Sequence, residues 1–278
     1  MAKSTLNKIG IVAGSGKLPS LLAKSCIQKG HEYKVLAINN FFEESISGVV
    51  ADLKIYIGQI GKAIKYFKEE NIKEIILVGG IKKPKIFSFF PDFKTFKILF
   101  KLGFLRYKDN KLITSLIEVI QEEGFIVTGA KNFLPELIAP EGIIGSIKIN
   151  KEDSSEVDSA FLAARDFGLK DIGQAVVWRK GKLIATEDIN GTDYMLSKIS
   201  LKNINAKPSG FLVKVLKPGQ EIRIDMPTIG PDTIRMVRAA GLEGIVVHAN
   251  YTLIVEIKKT INLANELGVF LFGYKYEQ

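Results

Sequence analysis

Lys8-Ile9-Gly10-Ile11-Val12-Ala13-Gly14-Ser15-Gly16-Lys17-Leu18-Pro19 reads as one strand, one glycine turn and the first residues of one helix. The apolar run Lys8 to Ala13, closed by glycine, has the pattern of a strand buried on both faces of a parallel sheet. A helix is expected from Pro19 to about Lys29, with Gly30 past its end. The same alternation continues outward. Strands are expected at Tyr33 to Ile38, Leu53 to Ile57 and Glu74 to Val78, with a helix from Gly61 to Glu70 and Gly79-Gly80 as the strand exit. Repeated βα units of this kind predict a Rossmann-like parallel sheet covered by helices.

From Ile81 to Lys111 the composition changes. Phe87, Phe89, Phe90, Phe93, Phe96, Phe100 and Phe104 are interleaved with Lys82, Lys83, Lys85, Lys94, Lys97, Lys101, Arg106 and Lys108, and Pro84 and Pro91 break any single long helix. Phe93, Phe96 and Phe100 have helical spacing, which favours packing. The basic residues between them suit an anionic lipid face or a channel for acyl chains. Leu112 to Glu123 reads as a helix and Phe125 to Thr128 as a strand. The loop flanked by Pro135 and Pro140 is the expected linker, dividing the chain into an N-terminal α/β domain, 1–134, and a C-terminal α/β domain with a mixed sheet, 135–278.

The second half starts afresh with a helix over Glu152 to Phe167. Ala175 to Arg179 and Leu183 to Thr186 form a hairpin turned by Lys180-Gly181. Gly191-Thr192-Asp193 opens a short helix. Phe211 to Leu216 and Arg223 to Asp225 are expected strands, and a helix runs from Thr233 to Ala240. Strands at Gly244 to His248 and Thr252 to Val255 and a helix from Lys258 to Leu267 follow.

Composition excludes several chemistries. The chain has 278 residues, 46% of them apolar, so a large core can form. Its two histidines, His31 and His248, cannot supply the ligands of a binuclear metallophosphoesterase, and the single Cys26 builds neither a zinc cluster nor an internal disulfide. No G-x-S-x-G elbow is present. The sequence has no uncharged apolar run of spanning length and no signal-peptide pattern, so the cytoplasm is the expected compartment. A net charge of +9 suits a phosphorylated ligand or an anionic surface, but it fits an AT-rich coding bias equally well. No nucleic-acid motif accompanies it.

Gly14-Ser15-Gly16 lies where phosphates dock in α/β folds, at a helix N-terminus after a strand. A tight turn demands the same glycines. Gly79-Gly80 stands at another strand's carboxyl end, with Lys82 in reach of any phosphate held there. In the second half Asp225 precedes a stiff Pro-Thr-Ile-Gly-Pro loop, whereas Asp232 or Thr233 is explained as a helix cap. Strand alternation places Arg223 and Asp225 on one face. Hydrolysis of a bound phosphate group would need an activated water and neutralised phosphate charge, and a carboxylate that binds Mg²⁺ or acts as base meets the first need.

Six stretches, in order, carry a resemblance. They are Ile9 to Pro19, Val78-Gly79-Gly80-Ile81, Asp171 to Val177 (DIGQAVV), Gly191-Thr192-Asp193, Val213 to Gln220 (VKVLKPGQ) and Asp225 to Pro231 (DMPTIGP). Together they resemble the LpxI type of UDP-2,3-diacylglucosamine pyrophosphatase. The resemblance implies an N-terminal α/β domain, a C-terminal domain of the family's own kind and substrate held between them. It implies hydrolysis to UMP and 2,3-diacylglucosamine 1-phosphate in lipid A assembly, with water attacking the β-phosphorus and a divalent cation, Mg²⁺, required. Carried over by motif, Asp225 is the leading catalytic and metal-binding residue and Asp193 the second. Gly14, Ser15, Gly79, Gly80, Asp171, Gln174, Thr192, Lys217 and Thr228 become expected substrate contacts, and Lys82 joins them by its reach to a phosphate at Gly79-Gly80. The implied partners are the UDP-linked diacylated glucosamine, the cytoplasmic surface of the inner membrane and a second copy of the chain. The competing readings are a carrier that binds a lipid or nucleotide sugar without cleaving it, and a hydrolase or transferase for another nucleotide sugar.

Overall fold

The computed structural model describes residues 7–81, 91–102, 109–200 and 207–276. It divides into two compact units, Met1–Pro135 with Glu221–Ile224, and Glu136–Gln220 with Asp225–Gln278.

The first unit runs β1 (Ile9–Ala13), α1 (Leu18–Gln28), β2 (Tyr33–Ile38), α2 (Glu44–Ser47), β3 (Leu53–Ile55), α3 (Ile60–Glu69), β4 (Glu74–Val78), α4 (Phe93–Leu102), α5 (Asp109–Glu122), β5 (Ile126–Val127) and α6 (Ala130–Phe133). Its five strands are all parallel, in the order β3-β2-β1-β4-β5. The chain winds outward from β1 through β2 to β3, then returns to place β4 on the other side of β1. Strand order therefore reverses between β1 and β4, and such a reversal opens a crevice beyond the strands' carboxyl ends. Ile11 pairs with Val35 on one side and Ile76 on the other. All three are buried, as the continuous apolar runs require.

The helices are held by apolar stripes. Ile64 and Phe67 of α3 and Ile117 and Ile120 of α5 pack with Leu36, Ile55, Ile75 and Leu77 into one core. Each such side chain contributes roughly 1.5–3 kcal/mol when fully buried. On α1, Cys26 is buried, and burial pushes its thiol up to about 11, which leaves it protonated and unreactive near neutrality. One acidic residue organises two helix starts. Asp92 accepts the amide N–H groups of Thr95 at 2.8 Å and Lys62 at 3.0 Å, while the Thr95 hydroxyl accepts from Ile60 N–H at 3.0 Å. Burial pushes the Asp92 carboxyl up, but the donated N–H groups outweigh it and hold it below its ordinary value. Beyond this cap, Phe93 and Phe96 are 75% and 60% exposed, so the packing expected from their spacing is not found at these two rings. The Lys97 ammonium lies 4.5 Å from the Phe93 ring centre. Residues 82–90 and 103–108 of the Phe/Lys segment, Lys82 among them, lie outside the described residues.

In the second unit a 3-10 turn (Pro135–Leu137) leads into β6 (Gly142–Ile144), α7 (Lys151–Gly168), β7 (Ala175–Arg179), β8 (Lys182–Thr186), α8 (Thr192–Ser200), β9 (Phe211–Lys214), β10 (Thr228–Ile229), α9 (Pro231–Ala239), β11 (Gly244–His248), β12 (Leu253–Ile254), α10 (Ile257–Glu266) and β13 (Phe270–Tyr274). Six strands form a mixed sheet in the order β6-β13-β11-β9-β7-β8, and β10 and β12 form a short parallel pair. Strands β9, β11 and β13 are parallel, and β6, β7 and β8 are antiparallel additions. Alternation splits the sheet's side chains between two cores. Leu212, Ala175, Ile245 and Val247 face α8, α9 and α10, whereas Val213, Val176 and Val246 face α7. Helix α7 begins where Asn150 accepts the Asp153 N–H at 2.7 Å.

The expected strand from Arg223 to Asp225 is absent, and the shared face of Arg223 and Asp225 goes with it. Glu221 closes a turn instead, its carbonyl accepting from Ile224 N–H at 3.1 Å. The Arg223 guanidinium folds back onto the Glu221 carboxylate through contacts of 2.8 and 2.7 Å. Ile224 packs into the first unit's core, whereas Asp225 belongs to the second unit.

His248 sits at the end of β11 against the Phe161 and Tyr251 rings, with Nδ1 lacking a partner among the described residues. Burial, helped by the Arg165 charge, lowers its pKa to about 4. An unfolded histidine titrates near ~6.5. Between these values the unfolded chain carries the extra proton, so this residue's stabilisation is complete above ~6.5 and is lost as pH falls towards 4. His248→Phe should gain stability relative to the wild type as pH drops through that window, by on the order of 3 kcal/mol. Urea unfolding followed by the fluorescence of Trp178, the single tryptophan, measures it. An unchanged difference between the two proteins from pH 7 to pH 4 would contradict a buried neutral imidazole.

Candidate active site

In the first unit, the loops after β1 and β4 meet where the strand order reverses. Ser15 and Gly80 form an isolated antiparallel bridge, with Ser15 N–H to Gly80 carbonyl at 2.9 Å and Gly80 N–H to Ser15 carbonyl at 3.1 Å. The Ser15 hydroxyl donates to the Gly80 carbonyl at 3.0 Å, and Gly14 N–H donates to Val78 at 2.8 Å. A Cβ at Gly14 would lie 2.6 Å from the Gly80 oxygen, and one at Gly79, whose φ is +89°, would lie 2.6 Å from the Ser15 oxygen. The two backbones cross too closely for side chains, which accounts for these glycines physically. The structure brings Gly14, Ser15, Gly79 and Gly80 together, but the crossing consumes the amides of Gly14, Ser15 and Gly80. The anion-attracting groups left at this crevice are the first-turn N–H groups of α1, which has no side-chain cap.

The other expected residues belong to the second unit. Thr192 and Gln174 meet at one carboxylate, Glu187, which is buried. It accepts the Thr192 hydroxyl at 2.7 Å and the Gln174 N–H at 2.6 Å. Glu187 N–H bonds to the Ala175 carbonyl at 2.9 Å, and Ala175 pairs with Lys214 across β7 and β9. Lys214 is the last residue of β9 and faces the same side as Leu212, towards α8 and α9. Its ammonium donates to the Thr228 carbonyl at 3.0 Å. Burial lowers the Lys214 pKa, and the charges of Glu187, Asp193 and Asp225 offset only part of that fall. Three carboxylates of the second unit thus act electrostatically on one lysine.

Asp225 is fixed by Gln220, whose side-chain amide donates to Asp225 Oδ2 and contacts Gln174 Oε1 at 3.5 Å. The Gln220 side-chain oxygen, Oε1, in turn accepts Lys217 N–H at 2.9 Å. The Lys217 ammonium pairs with Asp171 at 2.7 Å, both side chains largely buried. Asp171 holds a left-handed conformation at φ +56°. Asp193 is exposed in the first turn of α8. The Thr228 hydroxyl donates to Met226 at 3.1 Å, so this residue offers its carbonyl inward. Asp232 is explained structurally: it pairs with Arg235 at 2.6 Å in solvent, and Thr233 closes the α9 start by accepting Gly230 N–H at 3.2 Å.

Glu187, Lys214 and Gln220 complete the cluster without having been singled out from the sequence. The signal was present for Lys214: alternation in Phe211-Leu212-Val213-Lys214-Val215 puts a lysine at an inward position of a buried strand. Chemically, the cluster offers a carboxylate with one oxygen fixed by an amide and a neighbouring ammonium with donors to spare. Among the described residues no group of three or more histidine, cysteine or acidic side chains is arranged to hold a metal by itself. Mg²⁺ commonly uses one or two carboxylates and takes its remaining ligands from substrate phosphates and water, and Asp225 fits that donor set.

The chain belongs to the LpxI family: the LpxI N-terminal domain matches residues 8–137 and the LpxI C-terminal domain residues 140–272. It is 32% identical over 274 residues to the UDP-2,3-diacylglucosamine pyrophosphatase LpxI of Caulobacter vibrioides, covering 96% of this chain and 98% of that protein. Among solved structures, the biotin carboxylase subunit of pyruvate carboxylase is 17% identical with a TM-score of 0.26, over 63% of this chain and 35% of that one. The ADP complex of N5-carboxyaminoimidazole synthetase from Staphylococcus aureus is 17% identical with a TM-score of 0.24, over 67% and 43%. This chain thus aligns with less than half the length of either.

Proposed function

We infer that the protein hydrolyses the pyrophosphate bond of UDP-2,3-diacylglucosamine, releasing UMP and 2,3-diacylglucosamine 1-phosphate for lipid A assembly. The full-length relationship to a pyrophosphatase of that substrate carries the reading. The Asp225 cluster supports it chemically. A carboxylate held on one side by Gln220 keeps its other oxygen available to orient or deprotonate water. Attack by that water on the β-phosphorus forms a P–O bond, breaks the anhydride bond and expels UMP. Mg²⁺ bound at Asp225 would supply neutralisation of phosphate charge. The glycine crossing and the α1 N-terminus suit the nucleotide phosphate, because ligands of such sheets lie beyond the strand ends. The expected result is release of equimolar UMP from purified protein with UDP-2,3-diacylglucosamine and Mg²⁺. Tight binding with intact substrate under every divalent ion would make the protein a carrier.

The membrane contact rests on Phe93 and Phe96, exposed beside Lys97, in a chain of net charge +9. No helix among the described residues is long and apolar enough to cross a bilayer. We place the protein in the cytoplasm, touching the membrane surface as a dimer. Co-sedimentation with anionic but not neutral vesicles, and sedimentation equilibrium, test these two points.

A further inference from the structure

Lys214 is a lysine built into a strand, at the carboxyl end of β9, with its side chain on the core face shared with α8 and α9. An ammonium in such a place needs anionic or polar partners. It carries three N–H donors. Among the described residues only one donation is made, to the Thr228 carbonyl at 3.0 Å. Glu187, Asp193 and Asp225 all act on it electrostatically, yet none closes an ion pair with it. The carboxylates are also engaged or displaced elsewhere: Glu187 is taken up by Thr192 and Gln174, Asp225 is held by Gln220, and Asp193 is exposed. Lys214 pairs across the strands with Ala175, the residue after Gln174, and Gln174 touches the Gln220 amide that holds Asp225, so the spare donors of Lys214 lie on the strand end that leads to this carboxylate.

We propose that Lys214 is a catalytic residue that donates hydrogen bonds to a non-bridging oxygen of the phosphate attacked beside Asp225. This deepens the pyrophosphatase reading and rests on it. Two anionic groups, a carboxylate and a phosphate, must come together for water to attack. A fixed ammonium between them offsets their repulsion, most strongly as charge builds on the phosphate oxygens. Thr228, which the family motif marks as a substrate contact, then acts through its carbonyl by aiming Lys214.

The test compares two variants with the wild type under Mg²⁺ and UDP-2,3-diacylglucosamine. Lys214→Met keeps the apolar stem. Lys214→Gln keeps an N–H donor for the Thr228 carbonyl but removes the charge, so it preserves the structural tie and carries the test if the methionine variant does not fold. Folding is checked by circular dichroism. Loss of one such donor typically costs about 10²–10³ in kcat. That loss is expected in both variants, and in an Asp225→Ala background Lys214→Gln should also weaken binding of uncleaved substrate. Wild-type kcat and KM in a folded Lys214→Gln protein would overturn the assignment. Failure of the wild type itself to release UMP would instead overturn the pyrophosphatase reading, so the two failures are distinct.

Discussion

Asp225→Ala is expected to lower kcat for UDP-2,3-diacylglucosamine hydrolysis by about 10²–10⁴-fold, the range for removal of a positioned base. The effect should fall on kcat with little change in KM, because the lost group acts on the water in the transition state. The geometry explains why one side chain matters so much. Gln220 fixes Asp225 Oδ2, Lys217 N–H fixes the Gln220 side-chain oxygen Oε1, and the Lys217 ammonium is anchored on Asp171. Each link removes freedom from the carboxylate before substrate arrives. The alanine variant should keep its circular dichroism spectrum, since Asp225 lies in a loop and supports no helix. Turnover at the wild-type rate would remove Asp225 from the mechanism, and the placement of Mg²⁺ with it.

Gly79→Ala should damage both the first unit's stability and its use of substrate. At φ +89° an alanine backbone is strained by about 1–3 kcal/mol. The new Cβ would also lie 2.6 Å from the Ser15 oxygen and 2.8 Å from the Gly14 carbonyl carbon. Those are backbone atoms, so no side chain can rotate away. Relief requires separating the β1 and β4 loops and breaking the paired bonds between Ser15 and Gly80. The expected results are a thermal unfolding midpoint several degrees lower and a raised KM, with kcat less affected than by Asp225→Ala. A variant with wild-type melting and KM would show that the crossing is not rigid and that nucleotide phosphate is bound elsewhere.

Much of the first unit was legible because its buried parallel strands are continuous apolar runs between glycine stops. Tyr33 to Ile38 and Glu74 to Val78 are found with the expected bounds. In the second unit β6 and β13 carry weaker signals. β6 has three residues and lies at a sheet edge, where neither period nor length declares it. β13 is interrupted by Gly273, present because a Cβ there would meet the Pro140 oxygen at 1.8 Å. That requirement exists only between segments distant in sequence. The turn at Arg223 looked like a strand because charged and apolar residues alternate, and only the Glu221–Arg223 pairing shows otherwise. For the site, the carboxylates and glycines could be carried over by motif. Their partners could not, because Glu187 and Lys214 are brought to either side of Ala175 by strand pairing that no local spacing encodes.

The four residues Glu221–Ile224 belong to the first unit, while Gln220 and Asp225 on either side belong to the second. The backbone is therefore stitched between the two bodies, not strung from one to the next by a single linker. A fragment cut after Pro135 would lack Ile224, leaving a gap in its core, and the Arg223 backbone that faces Gly129. Exchanging halves at that point would leave the first unit with a Glu221–Ile224 patch drawn from another chain. The residue that follows the stitch is the proposed hydrolytic aspartate, so modular shuffling would disturb catalysis and folding in one stroke.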